Sequence, residues 1–211
     1  MKEGYTDITM VIDRSGSMRG READVIGGFK TFVAEQRKVK GPATLTLVQF
    51  DDQYEVNYTA VDINNVPEIE YVPRGMTALH DAFGKTINAT GDRLRSMPED
   101  ERPDKVIFVL QTDGYENDSK EFTKERVKEM VQLQQDEYNW DFLFFGADID
   151  ALDVGHGLGI NVANTIQFTK SARGVSNVFA ATAANVASYR SSGDKGDLVY
   201  STSDRASSMA E

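Results

Sequence analysis

Short apolar runs alternating with amphipathic helical segments constrain this chain more than any other feature. Residues 5–12, 44–50, 105–110, 140–145 and 165–168 read as strands, rich in the branched and aromatic side chains that suit a pleated surface. Several are apolar almost throughout, as in a sheet covered on both faces. Between them, apolar residues recur at helical spacing. Val25, Phe29, Phe32 and Val33 mark a helix over 21–38, and Leu79, Ala82, Phe83, Thr86, Ile87 and Leu94 mark a second. Asp118 with Glu121 reads as a capping box opening a third helix through Val127, Met130 and Val131. A last helix is expected over 172–189, with Val175, Val178, Phe179, Val186 and Tyr189 inward and Thr182 bonding its own backbone. Asp51-Asp52 turns the chain into 54–58, an antiparallel hairpin partner. This order predicts an α/β fold: a three-layer Rossmann-like sandwich with a mostly parallel sheet, one antiparallel edge strand and helices on both faces. Residues 1–190 form the expected domain, and 191–211, polar and short of apolar side chains, an expected mobile tail or a segment ordered only by a partner.

Charge and composition narrow the function. The 211 residues carry a net charge of −11, which argues against a general nucleic-acid or anionic-membrane binder, since both need clustered positive charge. No run approaches the length of a membrane span, and the N-terminus has no apolar core of a signal peptide, so a cytoplasmic protein is expected. The absence of cysteine removes disulfides, thiol nucleophiles and cysteine zinc sites, and His80 and His156 cannot make a zinc site alone.

In such sheets ligands bind beyond the carboxyl ends of the strands. Two polar clusters fall there. Asp13, Ser15 and Ser17, an Asp-x-Ser-x-Ser loop with Gly16 at its turn, follow the first strand, and Thr112-Asp113-Gly114 ends the strand at 105–110. Hard oxygen donors of this kind suit Mg²⁺ or Mn²⁺. With one formal charge in the loop, a metal held there stays electron-poor and open to an outside carboxylate. Thr77 sits near the start of the second helix, in Arg74-Gly75-Met76-Thr77-Ala78-Leu79.

Taken together, these residues resemble the metal-ion-dependent adhesion site of the von Willebrand factor type A domain, an Asp-x-Ser-x-Ser loop with a distant Thr and a distant Asp. Asp13, Ser15, Ser17, Thr77 and Asp113 match it in order, and the resemblance covers about residues 5–189. It implies direct coordination by both serines, direct coordination by the Thr when ligand is bound, and aspartates acting through water. It also implies an open position that takes an Asp or Glu side chain from a protein partner. The lack of an ATPase segment and of an export signal resembles the family's small intracellular bacterial and phage members. A non-enzymatic interaction module with no catalytic residues is the expected function.

Blander readings stand beside this one. The Asp-x-Ser-x-Ser loop could be a helix N-cap, Thr77 the cap of its helix, and Asp113-Gly114 an ordinary turn. Asp51, Asp52, Tyr115, Glu116, Asp148 and Asp150 line the expected rim as solvated loop residues or as partner contacts, and Arg14 and Arg19 read as surface residues. His80 is expected to pack without touching metal. Two other functions remain as alternatives. One is a Mg²⁺-dependent phosphatase of haloacid-dehalogenase type, which needs an acid where Ser15 stands. The other is an assembly protein whose metal only stabilises the fold.

Overall fold

The computed structural model describes residues 1–147 and 149–211. Six strands form one sheet: β1 (Lys2–Asp13), β2 (Ala43–Phe50), β3 (Tyr54–Asp62), β4 (Pro103–Thr112), β5 (Asp141–Ala147) and β6 (Thr165–Phe168). Their spatial order is β3-β2-β1-β4-β5-β6. All neighbours are parallel except β3, which pairs antiparallel with β2 at the edge. The expected architecture is the observed one. Alternation along β1 divides the core: Ile8, Met10 and Ile12 face one layer while Val11 faces the other.

Helices α1 (Glu22–Lys38) and α5 (Ala172–Ser192) cover the first face, and α2 (Leu79–Ser96), α3 (Lys124–Tyr138) and the short α4 (Ala151–Gly157) the second. A Cβ on Gly28 of α1 would lie 2.4 Å from the Phe179 ring of α5, so these helices meet at bare backbone. Thr182 Oγ1 donates to Val178 O at 2.8 Å, the expected self-bonding within α5. The capping box expected at Asp118 is not used. Thr123 caps α3 instead, its side chain accepting from Arg126 N at 3.2 Å, because residues 118–122 are held on α2.

The segment 191–211 corrects the expectation of a mobile tail. After Gly193 closes α5 in the left-handed region (φ 77°), Leu198 and Tyr200 enter the core beside α5, and α6 (Thr202–Ser208) follows. Tyr200 Oη pairs with Thr182 Oγ1 at 2.8 Å, and Tyr200 N donates to Ala163 O at 3.0 Å. Ser201 and Asp204 form a capping box on α6. Beside these two apolar anchors, Arg205 and Ser208 donate to Val162 O and Gln167 O, and Asn177 donates to Ser207 O, while most other side chains of the segment face solvent.

Candidate metal centre

β1 and β4 are adjacent, and the chain leaves β1 toward β2 on one side while β4 leads to β5 on the other. Their carboxyl ends form the switch point at which open α/β sheets take ligands. Asp13 is fully buried there, with both oxygens engaged: Ser15 N donates to Oδ1 at 2.7 Å and Thr112 Oγ1 to Oδ2 at 2.5 Å. Tyr71 Oη donates to Asp13 O, and Arg14 N to Phe50 O, clamping the strand end from two sides. The turn freedom expected of Gly16 belongs instead to Gly75 (φ 66°), whose carbonyl accepts from Gly16 N at 3.2 Å. A Cβ on Gly75 would meet Asp52 Oδ1 at 2.0 Å.

The serines do not act as helix caps. Ser15 precedes a single 3-10 turn, Gly16–Met18, without a side-chain cap bond. Its Oγ lies 2.9 Å from Ser17 Oγ; Ser17 Oγ donates to Asp113 Oδ1 at 2.7 Å, and Ser15 Oγ approaches the same oxygen at 3.5 Å. Asp113 Oδ2 faces Lys170 Nζ at 2.8 Å.

Thr77 arrives from the loop before α2. It is buried, and its Oγ1 lies 3.7 Å from the Cβ position of Gly114, where Ser17 Oγ lies 3.8 Å away. Nor does Thr77 cap α2, whose N-cap is Ala78 with no side-chain cap bond. The loop after β4 caps it: Glu116 Oε2 accepts from His80 N at 2.9 Å and Ser119 Oγ from Asp81 N at 3.0 Å. In return Asp81 accepts from Lys120, Glu121 and Phe122 N at 2.8–2.9 Å. Asn117 completes the link, its Oδ1 accepting from Thr77 N at 2.9 Å and its N donating to Thr77 O at 3.0 Å. All five expected residues therefore gather at one sheet edge.

A von Willebrand factor type A domain family model matches residues 7–188. The chain belongs to this family. Comparison with curated proteins finds no match. Among solved structures, proximal thread matrix protein 1 from the mussel byssus, with a zinc-occupied MIDAS motif, is 18% identical (TM-score 0.55), the match covering 83% of this chain and 44% of that one. The pilus adhesin SpaC from Lactobacillus rhamnosus GG is 14% identical (TM-score 0.64), with 89% and 31% covered. The ArnB paralog VWA2 from Sulfolobus acidocaldarius is 16% identical (TM-score 0.54), with 86% and 45% covered. At these identities the likeness is one of fold, and this chain spans less than half the length of each.

The two serine hydroxyls of this VWA domain have the spacing of neighbouring ligands on a small octahedral ion. Bonds of 2.0–2.1 Å place neighbouring ligands about 3 Å apart, and the serine oxygens are 2.9 Å apart. Among the described residues no three His, Cys, Asp or Glu side chains group to hold a metal, so any ion here would rely on hydroxyls.

Several rim expectations change. Asp51 is fully buried and accepts from Arg14 Nε at 3.0 Å and Arg74 Nε at 2.7 Å, so it anchors the loops instead of facing a partner. Arg14, expected on the surface, is buried and also pairs with Glu55 at 2.8 Å. Glu116 serves the α2 cap, and burial holds His80 below the usual imidazole range, against Glu116. Asp150 caps α4, accepting from Asp153 N at 3.0 Å. Asp148 lies outside the described residues.

Burial raises Asp13 to about 6, although Thr112 and Ser15 donate to it; the Asp113 charge adds to the rise. In the unfolded chain the group titrates near 4. The folded state therefore binds the extra proton, and its contribution is fully present below about pH 4 and lost as pH rises through about 6, by about 3 kcal/mol. Asp7, also buried and raised, gives a slope of the same sign in both chains, so urea denaturation in chelator across this window should show a steeper loss of stability in the native chain than in Asp13→Asn. Equal slopes would contradict the assignment.

Proposed function

We propose that this VWA domain is a divalent-metal-dependent protein-interaction module without catalytic activity. Ser15, Ser17 and Thr77 would hold the ion, with Asp13 and Asp113 orienting the donors and supplying charge. The observation that carries this reading is the convergence of three hydroxyls and one carboxylate at the switch point, none of the hydroxyls used as a helix cap. Hydroxyl-rich, charge-poor coordination favours Mg²⁺ or Mn²⁺ and leaves the ion attractive to an Asp or Glu side chain of a partner. The zinc in the mussel protein supports divalent occupancy of such a site in this fold. Met76 and Tyr115, 52% and 58% exposed on the flanking loops, offer apolar contacts beside the bound carboxylate.

A phosphatase reading finds no support in the geometry. Both oxygens of Asp13 are occupied and buried, so no nucleophile is presented, and Ser15 stands where an acid is required. A cytoplasmic site of action is part of the proposal. No helix among the described residues is long and apolar enough to cross a membrane, and pilus proteins occur among the structural relatives, so fractionation is the check.

The test is affinity capture from the native host on immobilised protein loaded with Mn²⁺. The expected result is a partner released by chelator and absent from a Ser15→Ala/Ser17→Ala column. Retention that ignores both metal and the serines would refute the proposal.

A further inference from the structure

Asp113 is shared. Its Oδ1 faces the serine hydroxyls, at 2.7 Å from Ser17 Oγ, while Oδ2 takes the ammonium of Lys170 at 2.8 Å. Lys170 lies in the turn between β6 and α5, its side chain 21% exposed against 0% for Asp113. Its backbone is fixed on either side. Thr169 N donates to Ser208 O at 3.0 Å, and Thr169 Oγ1 and Ser171 Oγ donate to Ala210 O at 2.8 and 2.7 Å. Ser171 Oγ also caps α5, accepting from Gly174 N at 2.8 Å. The C-terminal segment thus holds the loop that carries the ammonium to the site.

We propose that Lys170 sets the metal affinity of this site, acting as a tethered cation that competes with a divalent ion for the charge of Asp113. The inference rests on the metal-dependent reading above. Asp13 and Asp113 are the two carboxylates of the five-residue set, and an ammonium held on one of them counters part of their charge. A divalent ion drawn to Asp113 Oδ1 must either share that carboxylate with Lys170 or displace it, and at this range like charges repel strongly even in a polar environment. Weak retention of metal by the domain alone follows. The ion also stays short of negative charge, which a partner carboxylate then supplies.

Calorimetric titration of Mn²⁺ into chelator-stripped native chain, Lys170→Met and Lys170→Arg provides the test. Lys170→Met should bind Mn²⁺ at least about tenfold more tightly, because the opposing charge is gone. Lys170→Arg, which keeps the charge, should stay within about threefold of native. Equal or weaker binding by Lys170→Met would overturn the inference while leaving the metal site standing. Absence of binding by every chain, native included, would remove the metal reading and this inference with it. Far-ultraviolet circular dichroism checks that each variant folds, and Lys170→Gln repeats the neutral substitution should Lys170→Met fail that check.

Discussion

Asp81→Ala should destabilise the fold by about 2–4 kcal/mol, measured as the free energy of urea denaturation. The carboxylate accepts from three consecutive backbone N–H groups, Lys120, Glu121 and Phe122. Burial alone would raise its pKa, yet those donors outweigh burial and hold it below the ordinary range. Truncation leaves the donors without their acceptor, at about 1–3 kcal/mol each when water cannot reach them. They are only partly buried, so the total falls below the full sum. The damage should also spread to the site, since the same loop supplies Asn117 to both backbone groups of Thr77. Metal affinity should drop with stability, and Asp81→Asn, which keeps one acceptor oxygen, should be intermediate. A change below about 0.5 kcal/mol would show that the loop is held by other contacts.

Ser15→Ala/Ser17→Ala should abolish measurable metal binding, a loss on the order of 100-fold or more, while the fold persists. Loss of groups that merely orient ligands already costs 10–100-fold, and these hydroxyls are assigned to the ion itself. Neither caps a helix, so their removal leaves no main-chain donor without its partner. The bonds lost run between Ser15, Ser17 and Asp113, all within the site. A modest fall in melting temperature in chelator, because buried Asp113 Oδ1 loses its serine donors, with loss of the rise that Mn²⁺ gives the native chain, is the expected pattern. Native-like binding by the variant would place the ion elsewhere.

Much of this was legible before the fold was known. Near-continuous apolar runs mark β1, β2 and β4, which are buried on both faces, and period-3.6 patterning marks α1, α2 and α5, each of which buries one apolar face. The gathering of the five polar residues was readable because each sits at a strand end or on a loop entering a helix, on the carboxyl side of the sheet. Long-range partnerships were not readable. Asp81 occupies an ordinary first-turn position, and nothing nearby marks three acceptor bonds to a loop some forty residues away. Arg14 and Asp51 each look like surface charge until the β1 and β2 ends bring them together. Lys170 is a basic residue between Thr169 and Ser171, and only the folded placement of the loop after β6, held by the C-terminal segment, carries it to Asp113. In the last twenty residues composition misled, since Leu198 and Tyr200 anchor a segment that is otherwise polar. The Ser201-x-x-Asp204 pair was the available signal there.

Stoichiometric titration of Mn²⁺ into the chelator-stripped native chain tests the central claim most directly. One ion per chain is predicted, with release of that ion when Asp113→Ala or the paired serine substitution is introduced. Absence of saturable binding, or one ion per chain that all these variants retain, would contradict it.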